Sequence, residues 1–295
     1  MDRHAFGGAE LMRVYEAFVP ESAEGLRAEK YLSQAFPLLP AHVVRDALGK
    51  RDVKMNGARL GKDTPVQAGA RILLYTAFIL QLPVVYEDDN ILLINKPAGI
   101  SAADDGRGGM TALSLLTERA AGQYLPRLCH RLDNATCGLL LLCKNDASEA
   151  LLLDAFRERR LEKIYQCLVR GEMRPPAAIK EAYLIKDAAR SQVRVITHET
   201  PGALPIATQY ETLSFDGVLS RLRVTLLTGR THQIRAHMSF LSHPLLGDDK
   251  YGDRALNRRL KAVGSLKLCA TELTLHPGGQ LSYLDGKSFS IQPPF

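Results

Sequence analysis

Three short apolar runs limit the folds that are open to this chain of 295 residues. ILLI (91–94) and GLLLLC (138–143) are continuous, as in strands buried on both faces, and SRLRVTLLT (220–228) alternates in part. Helical spacing occurs at TALSLLTERAAGQY and SEALLLDAFRERR, the latter opened by Ser148. Because the strands outnumber the helices and no regular βαβ repeat is visible, we predict an α+β fold. It has a mainly antiparallel, mixed central sheet with flanking helices and a cleft.

A smaller unit precedes this region. GLRAEKYLSQAF and AHVVRDALGK have helical spacing, Asn56-Gly57 lies between apolar residues as in a two-residue hairpin, and QAGARILLY predicts a turn and a strand. Residues 1–24 lack sustained periodicity and are expected to form an arm. The chain is therefore divided into an arm (1–24), a small α+β module (25–77), a linker (78–84) and a large domain (85–295).

Positive charge is concentrated in the small module. Residues 25–77 contain nine basic and four acidic side chains, an excess of five in a chain whose formal net charge is +6. Such a concentration favours binding to a phosphate backbone, although an ordinary solvated face is the alternative. The candidate RNA-binding residues are Arg27, Arg45, Lys50, Arg51 and Lys54.

Several functional classes are excluded by missing motifs. The sequence has no phosphate-binding loop of the G-x-x-x-x-G-K-[ST] type, no G-x-S-x-G elbow and no H-E-x-x-H helix. Its five cysteines form no C-x-x-C pair and are expected to be reduced, and His232, His237 and His243 lack ligand partners at metal-binding spacing. We predict no metal site. The absence of a long apolar run and of a secretion-type start predicts a cytoplasmic protein.

Two segments remain as candidates for chemistry. In HRLDNATCGLLLL (130–142), Asp133 opens a turn before a buried strand, and in LLTGRTHQIRAHM (226–238) a strand gives way to a helix that a threonine is expected to cap. Aspartate and arginine at two such strand ends could meet in one cleft as a bidentate pair. A turn aspartate that bonds its own backbone is the alternative for Asp133.

The larger region resembles the RluA-type pseudouridine synthases, enzymes that isomerise uridine within RNA. The resemblance runs from about residue 85 to the C-terminus, and its blocks occur in the family's order: INKPAGI (94–100), HRLDNATCGLLLL, EKIYQCLVRG (162–171), TGRTHQIRAHM (228–238) and HPLLGDDKYG (243–252). The small module resembles the RNA-binding module of the fourth ribosomal small-subunit protein, which many family members carry.

This resemblance implies roles for particular residues. Asp133 would be the nucleophile, Tyr165 the aromatic residue against the target uracil, and Arg230 the basic partner of the aspartate. The matching blocks also supply the expected substrate-binding residues Arg131, Thr136, His232 and Arg235. No metal or organic cofactor is implied, and a monomer that binds RNA is expected. The family usually has serine where this chain has Cys137, and often histidine where it has Cys269.

The leading hypothesis is therefore an enzyme that makes pseudouridine in structured RNA, with large-subunit ribosomal RNA as the favoured substrate and transfer RNA as the alternative. A non-catalytic RNA-binding or ribosome-assembly protein is the competing class, and a nucleoside glycosidase that uses Asp133 is a third. The presence of Asp133, Tyr165 and Arg230 together argues against the second class, and the basic module argues against the third.

Overall fold

Two compact units make up the chain. The structure, a computed structural model, describes residues 12–78, 80–104, 110–187 and 192–295. The described residues of 12–81 and 99–116 form one unit, and those of 82–98 and 117–295 form the other. The boundary at 81/82 falls inside the expected linker, but the segment 99–116 groups with the N-terminal unit. Residues 1–11 of the expected arm and residues 105–109, within the SAADDGRGG segment (101–109) that follows INKPAGI, lie outside the described residues.

The N-terminal unit is a small sheet with two helices. Its elements are β1 (Arg13–Phe18), α1 (Ala28–Ala35), α2 (Ala41–Gly49), β2 (Val53–Met55), β3 (Ala58–Arg59) and β4 (Arg71–Thr76). The strand order is β1-β4-β2-β3 with antiparallel pairing. Asn56 (φ 48°) and Gly57 (φ 85°) form the predicted two-residue hairpin, because both have the positive φ that a type I′ turn requires.

Strand β1 differs from the sequence expectation. It lies within the segment expected to be an arm, yet it pairs with β4 from Arg13↔Thr76 to Phe18↔Arg71. Tyr15 and Ala17 are buried, whereas Val14 and Phe18 are about half exposed. The alternation is therefore that of an edge strand with one buried face, and it is too short to stand out against the neighbouring Gly and Pro residues.

The second unit is built on one large sheet. Its strands are β5 (Val84–Glu87), β6 (Ile91–Lys96), β7 (Arg127–Leu128), β8 (Cys137–Cys143), β9 (Leu161–Arg170), β10 (Ala177–Asp187), β11 (Gln192–Ile196), β12 (Leu204–Phe215), β13 (Leu219–Leu226), β14 (Leu268–Leu275) and β15 (Lys287–Ser290). The helices are α3 (Ala112–Ala120), which spans the boundary between the units, α4 (Asp146–Arg157), α5 (Gln233–Phe240) and α6 (Arg254–Arg259).

This sheet confirms the predicted fold class. The order is β11-β10-β12-β13-β9-β14-β8-β6-β5, with β15 beside β14 and β7 beside β8. Within the described residues the strand pairs of this sheet are antiparallel except β8 with β14, which are parallel. None of the described helices is both long and apolar enough to cross a membrane.

Strand β8 lies in the middle of the main core. All of its residues from Cys137 to Cys143 are buried, and Leu139 and Leu141 pack with Ile91, Leu93, Leu152 and Leu273. Each fully buried leucine contributes roughly 1.5–3 kcal/mol. Gly138 allows β14 to approach closely, because a Cβ at this position would lie 2.3 Å from the Ala270 carbonyl oxygen. The strand is therefore a rigid support for the turn that precedes it.

Two helix starts differ from the sequence expectation. Helix α4 is capped by Asn145, whose side chain accepts the Ser148 N–H, so Ser148 lies inside the first turn instead of opening the helix. Helix α5 has His232 at its N-cap with left-handed backbone (φ 55°) and no side-chain cap, so the expected threonine cap is wrong. Gln233 instead holds the turn that precedes the helix, since its side-chain oxygen accepts both the Arg230 N–H and the Thr228 hydroxyl.

Candidate active site

Asp133 lies in a tight turn at the start of β8. The Thr136 N–H donates to the Asp133 carbonyl oxygen at 3.1 Å, which confirms the predicted turn. His130 ties the preceding residues to β8, because its Nε2 accepts the Leu141 N–H at 3.0 Å. Burial, together with the charge of the nearby Lys163, lowers the pKa of His130 to about 3, so the ring is the neutral acceptor that this bond needs. The Asp133 side chain remains 25% exposed on this fixed support.

Arg235 is the ion-pair partner of Asp133. Its Nη1 lies 3.1 Å from Asp133 Oδ2, while its Nε and Nη2 donate to the two carboxylate oxygens of Asp248 at 2.7 and 2.9 Å. Burial acts to lower the pKa of Arg235, but the two carboxylates outweigh it and raise the pKa. One guanidinium therefore bridges a buried carboxylate and the more accessible Asp133.

This geometry corrects the prediction for Arg230. The Arg230 side chain is exposed, and within the described part of the chain it has no ion-pair or hydrogen-bond partner. Arg230 precedes α5, whereas Arg235 lies within it, and the adjacent Ala236 packs against β10, β11 and β12. The way α5 packs on the sheet thus determines that Arg235 faces Asp133. The location of Arg230 in the turn before α5 does not bring its side chain to Asp133.

His232 is the second side chain beside Asp133. Its Nε2 lies 3.8 Å from Asp133 Oδ2, and its Nδ1 lies 2.9 Å from the hydroxyl of Tyr251. Burial lowers the pKa of His232, and the opposing attraction of Asp133 does not restore it. The positive φ of a non-glycine residue here is a strained conformation of the kind that often accompanies a functional site.

Tyr165 lies in β9, between β13 and β14, where it is register partner to Val224 and Ala270. It is 7% exposed, and its pKa is raised first by burial and then by the negative charge of Asp133. In the described chain its hydroxyl has no hydrogen-bond partner. The structure therefore places a neutral phenol within electrostatic reach of Asp133.

Lys96, the buried lysine of the INKPAGI block, lies on the other side of the turn. Its Nζ donates to the carbonyl oxygens of Pro97 and Asn134 at 2.9 and 3.4 Å. Burial lowers its pKa to about 8, against the attraction of Cys137 and Asp133. Lys96 thus holds the turn through Asn134 and adds positive charge near the carboxylate.

The two cysteines that differ from the family pattern, Cys137 and Cys269, lie next to each other in the sheet. Cys137 in β8 and Cys269 in β14 are register partners in the one parallel pair of the described sheet, and both are buried. The Cys137 thiol donates to the Leu268 carbonyl oxygen at 3.6 Å, and its interaction with the Cys269 thiol lowers the pKa of Cys137 and raises that of Cys269. The absent serine and histidine are therefore replaced by one packed thiol pair.

The expected substrate-binding residues divide into two groups. Arg131 is exposed beside the turn, and His232 and Arg235 contact Asp133 as described. Thr136 is only 3% exposed. Its N–H closes the turn by donating to the Asp133 carbonyl oxygen, and its contact with the substrate stays a prediction.

The basic residues of the N-terminal unit lie mostly on its surface. Arg27, Arg45, Lys50 and Arg51 are exposed, and the Lys54 ammonium lies 5.2 Å from the centre of the Tyr75 ring. Arg27 and Arg45 line a surface concavity of about 670 Å³ that Lys30 and Lys62 also line. Arg27 forms an ion pair with Asp63, in which Arg27 Nη1 lies 3.3 Å from Asp63 Oδ1.

Three residues of the site were not selected from the sequence: Lys96, Asp248 and Tyr251. Each lies in a block that resembles the family, INKPAGI for the first and HPLLGDDKYG for the others. The only signal in the sequence was membership of those blocks. Their importance is seen only from their contacts in the structure. Lys96 contacts Asn134, Asp248 contacts Arg235, and Tyr251 contacts His232.

Comparisons with known proteins identify the family of this chain. A family model described as RNA pseudouridylate synthase matches residues 90–240. The chain is 30% identical over 288 residues to the ribosomal large subunit pseudouridine synthase C of Vibrio cholerae, with 89% of each chain covered. It is 31% identical over 253 residues to the synthase D of Yersinia pestis, covering 81% of this chain and 76% of the relative.

Solved structures show the same fold. The human RNA pseudouridylate synthase domain containing 4 aligns with a TM-score of 0.58 at 22% identity, covering 72% of this chain and 88% of that chain. The human protein named RNA pseudouridylate synthase domain containing 1 aligns with a TM-score of 0.57 at 25% identity. The alignment covers 73% of this chain and 91% of that chain. The family match spans residues 90–240, which contain the turn of Asp133, Tyr165 and all of α5. The chain belongs to the RNA pseudouridylate synthase family.

Proposed function

We propose that this protein converts a specific uridine of large-subunit ribosomal RNA to pseudouridine, with Asp133 as the nucleophile. The observation that carries the proposal is the accessible Asp133 carboxylate held by a buried arginine, with Tyr165 within reach of its charge. The names of the bacterial relatives support ribosomal RNA as the substrate. That substrate also favours a cytoplasmic location.

Each residue type suits one part of the isomerisation. The bond from the ribose to a ring nitrogen must break, the uracil must turn, and a new bond must form to a ring carbon. A carboxylate can attack the anomeric carbon or remove a sugar proton to give a glycal, and both routes need Asp133 to be ionised. Arg235 donates to Asp133 Oδ2 at 3.1 Å, so it fixes the direction of the carboxylate and supplies a positive charge beside it.

Tyr165 is suited to holding the uracil. Since its pKa is raised, the phenol stays protonated and offers a ring face and a hydroxyl donor, not a free base. The target uridine must leave the RNA stack, which costs a few kcal/mol. Stacking on an aromatic side chain offsets part of that cost.

The activity test compares wild-type protein with Asp133→Asn on unmodified large-subunit ribosomal RNA and on unmodified transfer RNA. We expect wild type to make pseudouridine in the ribosomal RNA, detected by carbodiimide mapping, and Asp133→Asn to be inactive while still binding RNA. Asp216→Asn is the matched control, because Asp216 also opens a turn before a strand. Product in transfer RNA alone would contradict the substrate, and no product in either RNA would contradict the activity.

A non-catalytic role is tested in cells. If Asp133→Asn rescues a deletion strain as well as wild type does, the protein acts in ribosome assembly without catalysis. We expect rescue by wild type and by Asp216→Asn, and no pseudouridine in the strain that carries Asp133→Asn.

We also propose that the N-terminal unit binds RNA through Arg27, Arg45, Lys50, Arg51 and Lys54. The support is its order of elements, two helices followed by an Asn-Gly hairpin and a strand, and the exposure of most of these side chains. Replacing each by glutamine should weaken binding and reduce the slope of log Kd against log salt by about 1 per lost phosphate contact. An unchanged slope in all five variants would contradict the assignment.

A further inference from the structure

Both side chains that approach Asp133 are themselves held by one loop, residues 247–252. Asp248 of this loop binds Arg235, and Tyr251 binds His232. The two loop residues are also joined to each other, since the Tyr251 N–H donates to Asp248 Oδ1 at 3.0 Å. A single short segment therefore sets the position of both neighbours of the reacting carboxylate.

Asp248 fixes the plane of the Arg235 guanidinium. Its two oxygens accept from Nε and Nη2, and this fork leaves Nη1 directed at Asp133 Oδ2. The Asp248 side chain is 0% exposed, so water does not screen the pair. Burial acts to raise the pKa of Asp248, but the bonds and charge of Arg235 outweigh it and keep the carboxylate ionised.

Tyr251 is placed to set which nitrogen of His232 carries a proton. The Val193 N–H donates to the Tyr251 hydroxyl oxygen at 2.9 Å, and the hydroxyl proton is then free to point at His232 Nδ1, also at 2.9 Å. A neutral ring that accepts at Nδ1 has its proton on Nε2, the nitrogen that lies 3.8 Å from Asp133 Oδ2. The opposite tautomer would place a lone pair against the carboxylate.

The loop is tightly packed at both ends. A Cβ at Gly247 would lie 2.1 Å from the Ser265 carbonyl oxygen. A Cβ at Gly252 would lie 2.2 Å from the Asp248 carbonyl oxygen. Asn257 adds a bond from its Nδ2 to the Asp248 carbonyl oxygen at 3.2 Å. The loop is thus built as a fixed support and not as a surface turn.

We propose that Asp248 and Tyr251 are positioning residues that direct one N–H of Arg235 and one N–H of His232 toward Asp133 Oδ2. The inference rests on the proposed function in that Asp133 is taken as the reacting carboxylate. Neither loop residue needs to touch the RNA. Their effect appears in the turnover step and not in substrate binding.

The test uses the full chain with Asp248→Asn and Tyr251→Phe. Asparagine offers one acceptor oxygen to the guanidinium in place of two, and phenylalanine keeps the ring while it removes the hydroxyl. We expect kcat to fall about 10- to 100-fold for the first variant and about 3- to 10-fold for the second, with KM for the RNA changed less than twofold.

Matched controls come from the same unit. Asp253→Asn alters another aspartate that pairs with an arginine, Arg170, and accepts two backbone N–H groups, and Tyr210→Phe removes another buried hydroxyl that has a partner, the Pro175 carbonyl. Both controls should keep wild-type kcat at an equal fraction of folded protein. Equal losses in the controls would overturn the proposal, as would wild-type kcat in both loop variants.

The pH dependence separates positioning from a general effect on the fold. Charged and titratable groups that act on His232 are Asp133, Arg235, Asp248, Lys250 and Tyr251. Protonation gives the ring both N–H groups whatever its tautomer, so the defect of Tyr251→Phe relative to wild type should shrink as pH falls from 8 through the pKa of His232, which burial holds below its usual 6.5. A ratio that does not change with pH would overturn the part of the proposal that concerns Tyr251.

One readout does not depend on activity. Long-range ¹H–¹⁵N spectra of the His232 ring should show the Nε2–H tautomer in wild type and a mixture in Tyr251→Phe. An Nδ1–H ring in wild type would overturn the inference even in an active enzyme. The expected tautomer in a protein that makes no pseudouridine would instead count against the proposed function alone.

Discussion

Replacing Arg230 and Arg235 one at a time by lysine tests which of the two arginines is the functional partner of Asp133. Arg230 was predicted to pair with Asp133, but Arg235 does so in the structure, 3.1 Å from its Oδ2. Lysine keeps the positive charge at either position and removes the planar fork. The pair Arg235→Lys and Arg230→Lys therefore tests geometry at constant charge.

The expected loss follows from the bonds that Arg235 makes. It donates two hydrogen bonds to Asp248 and one to Asp133, and a lysine ammonium cannot reproduce that arrangement. Because the Asp248 side chain is fully buried, the ammonium is expected to remain with Asp248 and to release Asp133. One charge-assisted hydrogen bond contributes about 1.5–3 kcal/mol, which corresponds to a fall in kcat of about 10- to 150-fold.

Stability changes in the same direction. Arg235→Lys loses two of three charge-assisted bonds in a buried site, so its free energy of unfolding should fall by about 3 kcal/mol. Arg230→Lys should change it by less than about 0.5 kcal/mol, because the side chain is exposed and has no partner in the described residues. Urea unfolding measures this difference.

Single-turnover formation of pseudouridine at saturating enzyme measures the catalytic loss, corrected for the folded fraction. We expect Arg230→Lys to keep kcat within about threefold of wild type, since it retains the charge that an RNA phosphate would meet. A larger loss in Arg230→Lys than in Arg235→Lys would refute the assignment of Arg235. Wild-type turnover in Arg235→Lys would refute the importance of the fork.

Two further predictions concern stability. Gly138→Ala should lower the free energy of unfolding in urea by about 2–6 kcal/mol, because its Cβ would lie 2.3 Å from the Ala270 carbonyl oxygen at a φ of +117°. Gly286→Ala, at positive φ with no atom within 4 Å, should cost only about 1–3 kcal/mol, and equal losses would contradict the close approach of the strands. The pKa of His130 is lowered from 6.5 to about 3, so the unfolded chain takes up a proton more readily and stability is lost as pH falls through this range. His130→Gln should show a smaller loss between pH 6.5 and 4, and an identical slope would show that His130 does not titrate in this way.

The sequence by itself determined the elements that depend on local pattern. The leucines of β8 have no polar residue among them, so the strand had to be buried, and Asp133 had to lie in the turn before it. Asn56-Gly57 specified its hairpin because few other residues adopt positive φ at both positions. The ordered blocks also predicted the family, which the comparisons show.

Only the tertiary structure decided which side chains meet. Arg230 and Arg235 are five positions apart, and the packing of α5 on β10–β12 turns the second toward Asp133 while the first stays exposed. The same packing brings Asp248 and Tyr251 to the site from a loop that is distant in sequence. The spacing of residues along a chain determines which of them share a face of a helix or strand. Which charged side chains form an ion pair depends on how those faces pack together, and a local sequence pattern does not contain that information.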